Sequence, residues 1–542
     1  MFAPTRRDFL ATASCAIAGR FLDPRFRVAR VIPANTSLSA QAFLENRLPT
    51  AGLQSLAARA VDATRQTGVA YADIRIAEQH RLDPGIVQAS LISQMTYGVR
   101  ALVDGVWGFA YGRDPSPDAV TRCAQAAVAG ARVAAQATNR RADRSSGWMP
   151  PPVATGEWRT PIQIDPFEVP LQQHSEVSEA LNALVKRMPE MDTPGGIGMQ
   201  WTRETRVFAS TAGSHLTQYL YRSQIDGAFH VSYGRNALVV KLPDLGWTSR
   251  GYEAVLIPDT ADRFKNAVED VLWLTRLPMA TIDVGRYPVV LDGHTMGSVL
   301  LSVVGPSLEL DRVLGDEVDA SGGSRFTLDL LGAPVASPLL TLTGHRNMPE
   351  IQAVQWDDDG AVPTPHTVIK EGVLVDYHTS NSTVAALTEW YQRNGKAVAS
   401  NGCATTVDPQ TVVTIQPPHL QMSPGTARRS LEELCHGMAH GIVVLTGTYL
   451  ATDQNLSSAS FSAEYTPCFE IKQGKLIRRI QGSVLQLNTL PFLKGLVALG
   501  DETTICRGNQ MRSKGYPWQD TPVSAVAPAA LFKEINVMSA KE

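Results

Sequence analysis

Residues 97–111 read YGVRALVDGVWGFAY. Two runs rich in β-branched and aromatic residues flank Asp104-Gly105, a pair that accepts the positive φ angles of a type I′ turn, so the segment predicts a β-hairpin. On its N-terminal side, Tyr71–Glu78 alternates, with Ile74 and Ile76 on one face and Asp73 and Arg75 on the other, and predicts a further strand. Earlier still, Ala51–Thr67 spaces Leu53, Leu56, Ala57, Ala60, Val61 and Thr64 as one face of a helix. Beyond the hairpin, Ala119–Ala137 is an alanine-rich helix. Helices and antiparallel strands thus alternate in the first unit, and the expected class is α+β.

The rest of the chain extends that reading. Arg140–Pro166, rich in Pro, Ser and Gly, reads as a linker. A middle α+β region follows, with helices expected at Ser175–Arg187 and Asp259–Leu274 and strands at Trp201–Ala209 and Gln218–Gly227. Asp283–Tyr287 is the next boundary. The last unit is strand-rich, with hairpin turns expected at Asp357–Gly360 and Glu371-Gly372 and a helix at Arg428–Ile442. The resulting division is a leader and linker at 1–50, then domains at 51–140, 165–283 and 288–537. No fixed-period repeat occurs, which argues against solenoids and propellers.

Composition narrows the function classes. At about 150 residues per domain, 542 residues suggest three units. Forty-nine Lys and Arg against 52 Asp and Glu leave a formal charge of −3, without the basic footprint of a nucleic-acid binder. Six cysteines lie far apart without a CxxC pair, so neither a zinc ribbon nor a disulfide scaffold is indicated. No apolar run approaches the roughly 20 residues of a membrane span, so no stable membrane anchor is expected. At the N-terminus, Thr5-Arg6-Arg7-x-Phe9-Leu10 precedes a short apolar stretch, Ala11–Gly19, and resembles a twin-arginine export signal. That predicts a periplasmic or otherwise extracytoplasmic protein; read as a plain basic tail, the same residues leave it in the cytoplasm.

The local motifs carry little chemistry. His436 and His440 share a spacing used by helical zinc sites, but on a helix they fall opposite the apolar stripe of Leu431, Leu434, Cys435, Met438 and Ile442, and Gly437 stands where a zincin needs its glutamate. They read as a solvated face. Asp357–Asp359 lacks the alternating ligands and distal Glu of a calcium loop. The segment Ser321–Ser324 has no phosphate-loop context, and no GxSxG nucleophile elbow is present.

Several longer strings share a resemblance. YADIRI followed by the hairpin segment, then PVVLDGHTMGSVLL, DDDGAVPTPHTVIKEGVLVDY, and SASFSAEYTPCFEIKQGKLIRRIQGSVLQLN with LVALGDET and Cys506, resemble the TldD/PmbA family of gyrase modulators and metallopeptidases from about Ala51 to Val537. The resemblance implies a zinc peptidase scaffold. In TldD-type subunits, HExxxH follows the VLL segment on a helix, and a cysteine near the C-terminus completes the ligand set; such a site lowers the pKa of bound water and polarises a carbonyl.

Here the segment reads LLSVVGPS. Ser302 stands at the first histidine position, Val303 at the glutamate, and Pro306 or Ser307 at the second histidine; Cys506 alone matches. A hydroxyl and one thiolate do not hold zinc, and valine carries no proton. The resemblance therefore implies a PmbA (TldE-type) subunit that binds no zinc and has no catalytic residue of its own. It would pair with a TldD-type HExxxH-bearing partner, which holds the zinc, around a chamber that cuts unfolded peptides. One alternative is a peptide- or client-binding protein without hydrolytic activity. Another is a metallopeptidase with a relocated site built from His294, His345 and Cys506. Whether the chain is an enzyme by itself is left open at this point.

Overall fold

A computed structural model describes residues 27–44, 48–137, 147–186, 197–233, 236–241, 246–256, 260–447 and 450–540. The twin-arginine reading falls on residues outside these ranges. Of the expected linker 140–166, residues 140–146 also lie outside them.

The hairpin that opens the sequence reading is present. Strands β1 (Arg27–Pro33), β2 (Val69–Pro84), β3 (Gln88–Val103) and β4 (Val106–Gly112) belong to one sheet, and β3 turns into β4 through Asp104 at φ 47° and Gly105 at φ 75°. Helices α1 (Thr50–Thr64) and α2 (Pro117–Ala137) cover one face of this sheet. Leu53, Leu56, Ala57 and Val61 of α1 and Ala124, Ala127 and Val128 of α2 bury against Ile74, Ile76, Val99 and Ala101. Gly108 allows the approach of α2: a Cβ there would meet the Ala127 carbonyl oxygen at 2.1 Å and the Ala131 nitrogen at 2.3 Å.

The same sheet continues into the middle of the chain. Its path runs β1-β3-β2-β6-β7, with β6 (Gly198–Ser210) antiparallel to β2 and β7 (His215–Asp226) antiparallel to β6. Residues 155–159, expected in a linker, instead form β5 (Thr155–Arg159), parallel to β7. Composition cannot report an edge strand recruited by a partner 60 residues away. Helices α3 (Leu171–Lys186) and α4 (Thr260–Thr275) fall close to the expected spans. With Phe167 and Phe264 they pack around Trp201, which has no exposed surface.

The C-terminal region holds two further sheets. One has ten strands, and its central members include Gly285–Leu291, His440–Val444, Cys468–Lys472 and Ala530–Ser539. The other has six, with Leu342–His345, His366–Lys370, His419–Met422, Gln519–Ala527 and Cys506–Lys514 among them. The α+β class holds.

Two expectations change. The helix expected at Arg428–Ile442 stops at Leu431–His436, capped by Ser430 in a capping box with Glu433. From His440 the chain is a strand, parallel to Gly285–Leu291. Gly437 and Gly441 weaken the helix, and Ile442, Val443 and Val444 suit a strand buried on both faces. His436 and His440 therefore do not share a helix; His440 pairs with Glu470 at 2.8 Å. The turn at Glu371-Gly372 does join two strands, His366–Lys370 and Val373–Leu374, with φ values of 48° and 81°. The turn at Asp357–Gly360 joins no strand pair, and all three of its aspartates are buried.

Candidate functional site

The position marked by the resemblance lies on one helix held between the two C-terminal sheets. The strand Gly285–Leu291 delivers Asp292, whose carboxylate caps the helix by accepting from the Thr295 N–H at 2.8 Å and also takes the Thr446 N–H at 2.8 Å. The helix, α5, runs through Gly293–Val299, a π turn at Leu300–Val304, and Gly305–Ser307. The π turn closes through the Gly305 N–H on the Leu300 carbonyl. Pro306, which has no N–H to donate, lies just beyond it. Val299, Leu300, Leu301, Val303 and Val304 fill the core against Leu420, Val523 and Ala525.

α5 lies along the strand Cys506–Lys514, and Gly297 packs directly on Gly508, where a Cβ on Gly297 would sit 3.4 Å from the Gly508 Cα. The Ser302 hydroxyl exchanges hydrogen bonds with the Gln510 amide at 3.2 Å. Val303 has no exposed surface. Pro306 is buried, and the Ser307 hydroxyl donates to the Val303 carbonyl at 2.7 Å. Cys506 is half-buried beside the start of α5, and burial together with the Asp292 charge pushes its thiol up to about 11. It is a thiol at neutral pH.

This set does not fit zinc. It offers two hydroxyls already committed to neighbours, an alkyl side chain, a ring without a donor, and a single thiol; zinc needs three N, S or O donors in a fixed arrangement.

His294 is beside Cys506, and its Nδ1–H donates to the Arg507 carbonyl at 3.1 Å. His345 lies against the ring of His419, with centroids 4.9 Å apart. Among the described residues, three metal-type donors converge elsewhere, in His366, His378 and Cys403.

His419 belongs to a network that sequence reading missed. Its Nδ1 lies 3.1 Å from a Glu350 carboxylate oxygen and 2.8 Å from the Ser524 hydroxyl, while Ser524 donates to Gln352 at 2.9 Å. Arg507 holds Glu350 with both terminal nitrogens of its guanidinium. Ser, His and carboxylate invite a hydrolase reading, but serine and carboxylate meet the same ring nitrogen. The imidazole cannot pass a proton from one to the other. Ser524 has no exposed surface, and burial drives His419 down to about 4. The network is a brace between strands.

Past the end of α5, Glu309 accepts from Arg312 at 3.3 Å, from Arg512, and from Lys514 at 2.7 Å. Lys514, fully buried, also reaches Asp311 at 2.7 Å and the Ile415 carbonyl at 2.7 Å. Burial alone would raise the Glu309 pKa, but Arg512, Lys514 and Arg312 hold the carboxyl down at about 2.

The acidic run Asp357–Asp359 ties the first sheet to the C-terminal region. Asp359 takes Arg100 at 2.7 Å, Asp358 takes Arg206 at 3.0 Å, and Asp357 accepts the N–H groups of Asp359 and Ala361 at 3.0 and 2.9 Å. With the carboxylates so occupied, the run has no calcium geometry. Beside it lies a cleft of about 280 Å³ between the first sheet and the C-terminal region, lined by Arg206, Arg222, Arg346, Trp247, Trp356 and Met511 among others. Glu204 offsets Arg206 at 2.5 Å and Arg222 at 2.9 Å.

Comparison with known proteins covers most of this architecture. The PmbA/TldA metallopeptidase C-terminal domain matches residues 284–539, and domain 1 of the same metallopeptidase matches residues 85–131. No curated protein matches the chain. Among solved structures, a candidate modulator of a DNA gyrase from Thermotoga maritima is 14% identical at a TM-score of 0.66, with 90% of this chain and 100% of that one covered. TldE from Thermococcus kodakarensis is 13% identical at 0.62, with 90% and 100% covered. A candidate modulator of DNA gyrase from Bacteroides thetaiotaomicron is 15% identical at 0.62, with 90% and 98% covered.

Proposed function

The chain belongs to the TldD/PmbA family, and on that premise we propose that it is the subunit without a catalytic zinc in a two-subunit peptidase acting on unfolded peptides. One observation carries the reading: on α5, where the family resemblance sets a zinc and its base, the chain offers Ser302, Val303, Pro306 and Ser307, and Cys506 alone matches the ligand set. In support, none of the 11 histidines is followed by glutamate, so HExxxH occurs nowhere in the sequence. Zinc and general base then come from a TldD-type partner, and this chain supplies chamber wall and substrate contacts. The cleft beside Asp357–Asp359, with its guanidinium and indole groups, suits an extended peptide's carbonyls and side chains.

The test is peptide hydrolysis by the purified chain alone, by an HExxxH-bearing partner alone, and by the two together. The reading expects no turnover from this chain, unchanged on Cys506→Ala, and turnover from the pair. A stable binding protein for exported clients is the second reading, and failure to co-purify with any HExxxH-bearing chain would favour it.

For location, the proposal is twin-arginine export, which carries folded proteins and so permits assembly beforehand. No described helix is long and apolar enough to cross a membrane. Exchanging Arg6-Arg7 for Lys-Lys is expected to retain the protein in the cytoplasm on cell fractionation; periplasmic recovery of that variant would contradict the route.

A further inference from the structure

From the convergence of His366, His378 and Cys403 we infer a metal site for a zinc-type divalent cation, separate from α5. Three segments build it. The hairpin at Glu371-Gly372 carries His366 on its first strand and His378 just past its second. The loop 401–403 runs beside residues 377–379: the Cys403 N–H donates to the Thr379 carbonyl at 3.0 Å, and the Asn401 amide joins the Tyr377 carbonyl at 2.6 Å and the Thr379 N–H at 2.8 Å. One donor atom from each of His366, His378 and Cys403 lies within 4.8 Å of the other two.

The hydrogen bonds assign the protons. His366 Nδ1 faces the Thr364 carbonyl at 3.0 Å, and a carbonyl only accepts, so Nδ1 carries hydrogen and the Nε2 lone pair is free. That lone pair points at His378 Nδ1, 3.0 Å away, with the ring planes at 76°. As a plain hydrogen bond, the contact puts the His378 proton on Nδ1. Its Nε2 is then a bare acceptor, and that atom is buried without a hydrogen-bond partner in a side chain with no exposed surface.

A cation uses the pair differently: it takes the two facing nitrogens, His366 Nε2 and His378 Nδ1, as lone pairs and leaves the His378 hydrogen on Nε2. Two imidazole nitrogens at 2.0–2.1 Å from tetrahedral zinc are about 3.3 Å apart, close to the observed spacing, and a thiolate completes a three-donor set open to water at a fourth position. The Thr364 carbonyl on His366 Nδ1–H is the outer contact that orients a ligating ring. Binding releases the Cys403 thiol proton to solvent. His366 is half-buried, so the cation enters from its side, while His378 and Cys403 are closed off. Asp376, buried two residues from His378, is paired with Lys396 at 3.1 Å. The site clips the hairpin to the loop 401–403, next to residues 308–310, which exchange main-chain hydrogen bonds with His378.

Cobalt titration of the chelator-treated full-length chain tests this. The expected result is one equivalent bound with a thiolate-to-cobalt charge-transfer band and strong tetrahedral visible bands. Cys403→Ser abolishes the charge-transfer band, His366→Gln weakens binding at least tenfold, and Cys506→Ser changes neither. Zinc raises the thermal midpoint of the wild-type chain but not of the variants. Should Cys403→Ser fail to fold, His366→Gln, at the half-exposed ligand, decides. Absence of the band in large cobalt excess, or its survival in both variants, overturns the site. A band that disappears with Cys506→Ser instead overturns the site and the proposed metal-free α5 together, whereas loss confined to the Cys403 set leaves that proposal standing.

Discussion

Glu309 has no exposed surface and faces Arg312, Arg512 and Lys514, while Lys514 itself is buried against both Glu309 and Asp311. Removing one partner leaves a buried charge uncompensated, which costs about 3–5 kcal/mol, so Lys514→Met should lower the urea midpoint by an amount matching that loss. The same cluster sets an acid limit. The Glu309 pKa is depressed from 4.5 to about 2. A carboxyl whose folded pKa lies below its unfolded value stabilises the fold fully above about 4.5 and loses that contribution as pH falls toward 2, here about 3 kcal/mol. Glu309→Gln should flatten the decline of stability between pH 4.5 and 2 in chemical denaturation. A decline as steep as in the parent would place the acid sensitivity elsewhere.

Helix α5 depends on two small features at its start. Gly293 packs so closely that a Cβ would meet the Thr504 carbonyl at 2.5 Å, the Ala527 carbonyl at 2.6 Å and the Cys506 nitrogen at 2.8 Å. All are main-chain atoms with little room to yield, so Gly293→Ala should cost about 2 kcal/mol, read from the thermal midpoint. Asp292→Ala removes both the helix cap and the partner of the Thr446 N–H, for an expected loss of about 1–2 kcal/mol.

Elements such as α1, α2 and the two hairpin turns were legible in the sequence because each is set by its own residues: helical spacing of Leu53, Leu56 and Ala60, and glycine at positive φ in Gly105 and Gly372. The strand His440–Val444 was not, because a strand buried on both faces shows no alternation and its apolar residues also suit a helix. Asp357–Asp359 read as a hairpin turn because their partners, Arg100 and Arg206, lie more than 150 residues away in the chain. The pairing of His366 with His378 did leave a signal: they stand almost symmetrically about Glu371-Gly372, so the hairpin alone brings them together. Cys403 left none.

At the scale of the molecule, the first sheet and the C-terminal region are joined through buried charges. Arg100 bridges Asp73 on its own sheet and Asp359 across the junction, both at 2.7 Å, and its guanidinium lies over Trp107 and Trp148. Burial opposes its charge, but Asp73 and Asp359 more than compensate and hold the guanidinium protonated. Arg100→Met strands two carboxylates, and the expected effect is a loss of about 3–5 kcal/mol with easier proteolysis at the junction. The apolar side chains of the π turn, with Pro306 and Ser307, are buried, so packing fixes what α5 offers. The decisive measurement is peptide hydrolysis by the isolated full-length chain, with and without chelator, alongside Cys506→Ala. No turnover above the uncatalysed rate in any of the three is the predicted result. Chelator-sensitive turnover that disappears with Cys506→Ala would contradict it.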